Sequence, residues 1–87
     1  ADVEALASGT PVVTYDTGAA RDFIVDYENG VVTENNPMSM AETVEKIVRD
    51  THLLAHMRTS ARACVEKELN WATYAKENNI HITPLFN

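Results

Sequence analysis

The chain has 87 residues, a net charge of −6 with only seven lysines and arginines, and 45% hydrophobic residues. That length allows one small domain near the limit at which a single core suffices, and the acidic balance provides no positive field for a nucleic acid backbone or an anionic membrane surface. One cysteine, Cys64, excludes an internal disulfide, and no stretch reads as a signal peptide or spanning helix, so the expected compartment is a reducing cytoplasm.

After Ala1 and Asp2 comes the stretch Val3-Glu4-Ala5-Leu6-Ala7-Ser8-Gly9-Thr10-Pro11. Ala5, Leu6 and Ala7 favour a helix, Gly9 suits the left-handed position just past its end, and Pro11 forbids continuation. Val12, Val13, Thr14 and Tyr15 then form a short run of β-branched and aromatic residues, as expected of a strand covered on both faces. Asp16-Thr17-Gly18-Ala19-Ala20 reads as a strand-to-helix loop with Thr17 as N-cap, followed by a short helix that turns Phe23, Ile24 and Val25 inward. In an open α/β sheet ligands lie outside the carboxyl ends of the strands, which is where this loop falls. Asp26 to Gly30 reads as a polar turn ending in an Asn-Gly pair suited to positive φ, and Val31-Val32-Thr33 as the next strand.

Helical spacing takes over after the loop Glu34-Asn35-Asn36-Pro37. Ser39 with Glu42 forms a capping box, and Ala41, Val44, Ile47 and Val48 mark the expected buried stripe. Asp50 or Thr51 caps a second helix whose stripe is Leu53, Leu54, Met57, Ala61, Cys64 and Val65. Asn70 is expected to cap a last helix carrying Trp71, Tyr74 and Ala75, with Trp71 as an anchor that buries much area on one joint. Residues 79–87 alternate in character, and Pro84 excludes a regular helix there. His52 and His56 have the four-residue spacing of a shared metal site but lack a third ligand, so they read as exposed histidines. Cys64, at an apolar helix position without a cationic neighbour in view, reads as a small core residue.

From Glu4 onward the order Glu-Ala-Leu-Ala-Ser-Gly-Thr-Pro-Val-Val, strand, Gly-Ala loop (Gly18-Ala19), short helix and Asn-Gly turn (Asn29-Gly30) resembles the donor-binding segment of the group 1 glycosyltransferases. The resemblance continues to the aromatic at Trp71 and covers roughly residues 2 to 76. It departs at Ala19, where family members usually carry glycine, and at Asp22, where they usually carry glutamate.

The resemblance implies a retaining transferase of the GT-B fold that uses a nucleotide-diphosphate sugar, with no cofactor and no metal. The fold class is then α/β: a partial Rossmann-like, three-layer domain with short parallel strands and C-terminal helices. Residues 1–78 would be the C-terminal part of the nucleotide-sugar-binding domain and 79–87 a C-terminal tail. Implied donor-binding residues are Glu4, as the second of two family glutamates and a partner of the ribose hydroxyls, and Thr17, Gly18 and Ala19 as loop residues lining the donor. Read without the resemblance, Glu4 is a solvated helix carboxylate, the loop an ordinary turn, and Arg21 and Asp22 surface charges. The first family glutamate and the acceptor site are absent, so the chain is expected to be an inactive piece of a transferase. Alternatives are a non-catalytic α/β module that pairs with itself, or part of a GT-B nucleotide-sugar epimerase. Strands deprived of neighbours would leave an edge through which two copies could pair as a homodimer.

Overall fold

The computed structural model describes residues 9–85, so the expected first helix and Glu4 lie outside the described residues. The elements are β1 (Val12–Tyr15), a 3₁₀ turn (Ala20–Asp22), β2 (Gly30–Thr33), α1 (Pro37–Arg49), α2 (Thr51–Ala63), α3 (Val65–Glu77) and β3 (Ile82–Pro84). None of these helices is long and apolar enough to cross a membrane.

The sheet has the order β2-β1-β3. β1 and β2 are parallel, with Val13 beside Val31 and Tyr15 beside Thr33, as the two short valine-rich runs predict. β3 adds to the other side of β1 in antiparallel sense, with Val12 opposite Pro84 and Thr14 opposite Ile82. The central strand is sealed as a result, and Val12, Val13 and Thr14 are wholly buried.

Alternation along the strands divides the core into two faces. Val12 and Val32 join Ala20, Ile24, Trp71, Ala72, Ala75 and Ile82 on the α3 side. Val13 and Val31 join Met40, Ile47, Leu54, Met57 and Leu85 on the side of α1 and α2. The protein is therefore α/β, a mixed sheet between helical layers, consistent with a partial Rossmann-like domain. Trp71 is fully buried and packs against Phe23, with ring centroids 5.4 Å apart, which is the anchor expected of it.

Several local expectations are corrected. α1 starts at Pro37, before Ser39, because the Asn36 side chain accepts the Ser39 N–H at 2.7 Å and Pro37 suits the first helical position. Met40, Val44 and Ile47 then turn inward, while Ala41 and Val48 are exposed. Asp50 caps α2 as expected, accepting Leu53 N–H at 3.0 Å. The helical break falls at Cys64 rather than at Asn70, so Asn70 lies inside α3. Gly9 has the expected left-handed φ of 82°, but in the Asp26–Gly30 turn it is Tyr27 that takes positive φ, at 62°. Gly30 is required for closeness instead: a Cβ there would collide with the Val12 carbonyl oxygen across the parallel pair.

The strand edges expected to pair two copies are partly covered among the described residues. On β1 the edge is taken by β3 and extended by the bond from Leu85 N–H to Pro11 O at 2.8 Å. On β2 the Asp26 carboxylate accepts Val32 N–H at 3.0 Å, and Tyr27 N–H donates to Gly30 O at 2.7 Å. β3 itself is short and carries Pro84, which has no N–H to offer a further strand.

Candidate functional site

Because β1 and β2 are parallel, their carboxyl ends share one edge of the sheet, and the loop after Tyr15 crosses it. Asp16 N–H donates to Thr33 O at 2.9 Å, which ties the start of this loop to the end of β2. The Asp16 side chain then accepts Gly18 N–H at 3.0 Å, closing a tight turn that leaves Thr17 and Gly18 exposed and Ala19 half-buried. Gly18 has φ of 81° with nothing within 4 Å of where a Cβ would lie, so the loop presents bare backbone to open space. Thr17 is not the helix cap: the 3₁₀ turn begins after Ala19 and no side chain caps it.

Thr17, Gly18 and Ala19 are thus brought together at the carboxyl edge as expected, whereas Glu4 is outside the described residues. Arg21 lies between two carboxylates, 3.6 Å from Asp16 and 3.5 Å from Asp26, and all three side chains are well exposed. Ion pairs of this kind contribute little to stability, and they agree with reading Arg21 as a surface charge. Asp22, also exposed, donates its N–H to Ala19 O at 3.0 Å and so fixes the far side of the loop.

The tail supplies residues to the same edge that the sequence did not single out. Thr14 Oγ donates to His81 O at 3.0 Å, and the ring of exposed His81 lies 6.2 Å from that of Tyr15 at an interplanar angle of 38°. Alternation in the tail was the available signal: His81, Thr83 and Leu85 share one face and Ile82 the other.

Elsewhere, Glu28 receives a hydrogen bond from Ser60 Oγ at 2.9 Å and lies 3.1 Å from His56 Nε2. With Val25, Asn29, Ala63, Cys64 and Lys67 it borders a pocket of about 300 Å³. Glu28 and Asn29 precede β2, so this pocket is at the amino end of the strand, away from the loop. Cys64 is half-buried at its wall rather than within the core. No group of three or more metal-ligating side chains occurs among the described residues, and His52 and His56 are both exposed.

Glu68 is a buried titratable group on the face of α3 that also carries Trp71, Ala72 and Ala75, three, four and seven residues further on. It is 1% exposed, and neither carboxyl oxygen has a hydrogen-bond partner among the described residues. Removal from water raises its pKa from 4.5 to about 8, so its neutral form dominates up to that pH.

The family model described as glycosyl transferases group 1 matches residues 1–64. An uncharacterized glycosyltransferase of Methanocaldococcus jannaschii is 33% identical over 76 residues, covering 86% of this chain and 20% of its own length. The Bacillus subtilis protein YtcC, named as a glycosyltransferase, is 31% identical over 78 residues, covering 87% of this chain and 19% of its own length. The chain therefore spans about a fifth of each relative. No solved structure gives a significant match. By the extent of the family match and the order of its elements, the chain belongs to the group 1 glycosyltransferases.

Proposed function

We propose that this chain forms part of the donor site of a retaining GT-B glycosyltransferase that takes its sugar from a nucleotide-diphosphate donor. The observation that carries this reading is the loop Thr17-Gly18-Ala19, held by Asp16 at the shared carboxyl edge of two parallel strands with open backbone at Gly18. With the Gly18 N–H held by Asp16, the N–H groups of Thr17 and Ala19 can donate to the donor while Thr17 adds a hydroxyl. Glu4 accepts hydrogen bonds from the ribose hydroxyls and moves no proton. In this reading the acceptor site and the groups that neutralise the leaving diphosphate belong to other parts of the transferase, which acts in the cytoplasm.

The test is a bulky side chain at the open position. In the transferase that carries this segment, Gly18→Val is expected to raise the donor KM by about tenfold or more while leaving the acceptor KM unchanged. An unchanged donor KM in a folded variant would remove the loop from the donor site.

A further inference from the structure

The loop after β1 is tied to two consecutive residues of β2 by separate routes. The first is the bond from Asp16 N–H to Thr33 O at 2.9 Å, at the start of the loop. The second runs through side chains and ends at Val32. Gly18 N–H donates to Asp16 Oδ1 at 3.0 Å, and Asp16 Oδ2 lies 3.6 Å from Arg21 Nε. Arg21 Nη1 lies 3.5 Å from Asp26 Oδ2, and Asp26 Oδ1 accepts Val32 N–H at 3.0 Å. One guanidinium thus joins two carboxylates, each of which uses its other oxygen to hold a backbone N–H.

The backbone of Arg21 is itself well fixed. It lies in the 3₁₀ turn between Ala20, which is wholly buried, and Asp22, whose N–H donates to Ala19 O at 3.0 Å. Phe23 and Ile24 N–H both donate to Ala20 O, so the stem of Arg21 starts from the core while its head reaches back to the loop and forward to Asp26. The planar fork of a guanidinium can engage two carboxylates at once. Without that cation, Asp16 and Asp26 are like charges on one patch, and the Asp16 carboxylate is drawn toward water and away from Gly18.

What the bridge controls is the freedom of a glycine. Gly18 holds a φ of 81° with open space around it, so no packing fixes it there. Released from Asp16, it has other backbone conformations available at little cost. A loop that is ordered only when its ligand arrives binds more weakly, by the fraction of time it spends in other conformations. The ion pairs are about half exposed and add little to the stability of the fold, but a small bias is enough to decide which conformation such a loop holds.

We propose that Arg21 is a positioning residue of the donor site: by bridging Asp16 to Asp26 it holds the Thr17–Ala19 loop in the conformation that offers its N–H groups to the donor, without touching the donor itself. This rests on the donor-loop reading above.

The test compares Arg21→Gln, which removes the cation, with Asp26→Asn, which keeps an acceptor for Val32 N–H and removes the charge at the end of the bridge remote from the loop. In the isotope-labelled 87-residue chain, with folding of each variant checked by its amide spectrum, NMR relaxation should show Thr17 and Gly18 more mobile than in the parent on the picosecond-to-nanosecond timescale. In the transferase that carries this segment, both variants should raise the donor KM about twofold to tenfold, the worth of one or two exposed ion pairs, with the acceptor KM unchanged. A donor KM lowered by Asp26→Asn would mean that Arg21, once freed, binds the donor's phosphates directly. That result, unaltered loop mobility in both variants, or an unchanged donor KM in both while Gly18→Val raises it, would each overturn the positioning role and leave the donor loop standing. A donor KM unchanged in all three variants would overturn both.

Discussion

Thr14 Oγ donates a hydrogen bond to the carbonyl of His81, 67 residues further on, at 3.0 Å. Around this contact the C-terminal segment closes the sheet. Ile82 fills the core on one face and Leu85 on the other, and both are nearly inaccessible. Deleting residues 79–87 should therefore remove two core side chains, each worth about 1.5–3 kcal/mol, and bare the edge of β1. Sedimentation should show a chain that is monomeric when intact and that self-associates when truncated. A truncated chain that stays monomeric and equally stable would contradict this account of β3.

Gly30 and Gly18 should respond differently to the same substitution. At Gly30 an added Cβ meets the Val12 backbone and Ile24 Cγ2, neither of which can move freely, so Gly30→Ala should cost about 3 kcal/mol. At Gly18 the space is open, and Gly18→Ala should cost only the backbone strain of positive φ, about 1 kcal/mol. Urea denaturation of the two variants checks the order; equal losses would mean that β1 and β2 do not approach as described.

Glu68 makes stability depend on pH in a direction opposite to that of a salt-bridged carboxylate. Its pKa is raised from 4.5 to about 8 in the folded chain, so in that window the folded state holds a proton that the unfolded state has released. Stability from this group is fully present below about pH 4.5 and is lost as pH rises toward 8, at up to about 1.4 kcal/mol per pH unit. Glu68→Gln should flatten the profile over that range in denaturation measured at several pH values. An equally steep fall in the variant would assign the dependence to other groups.

The isolated chain should transfer no sugar. Catalysis requires donor and acceptor held together, and the chain spans about a fifth of its relatives' length. Turnover of a nucleotide-sugar by the purified chain, with contaminating enzymes excluded by an inactive preparation made in parallel, would show that the site is more complete than proposed.

Much of this architecture was legible in the sequence, because the signals were dense and local. Val12 to Tyr15 and Val31 to Thr33 are β-branched runs bounded by turn residues, and α2 has both a strong cap in Asp50 and a clear apolar stripe. The loop at Thr17–Ala19 was placed by the same logic, since a loop after a buried parallel strand must fall at a carboxyl end. What escaped was set by tertiary contact. Asn36 competed successfully with Ser39 for the helix start, and the need for Gly30 arises from Val12, which is distant in sequence. β3 was missed because Ile82 and Thr83, though β-branched, make too short a run before Pro84 to signal a strand; they pair because β1 has an edge and Ile82 and Leu85 have core to fill. His81 went unnoticed for the same reason, its position depending entirely on that pairing.

The most direct test of the central claim is the donor KM of Glu4→Gln in the transferase that carries this segment. Gln keeps the shape and one acceptor oxygen but removes the charge, and a hydrogen bond to a charged group is worth roughly 1.5–3 kcal/mol. The account, in which Glu4 is proposed to bind ribose and transfer no proton, predicts a donor KM raised about tenfold or more with the acceptor KM unchanged. A donor KM equal to that of the parent enzyme would contradict it.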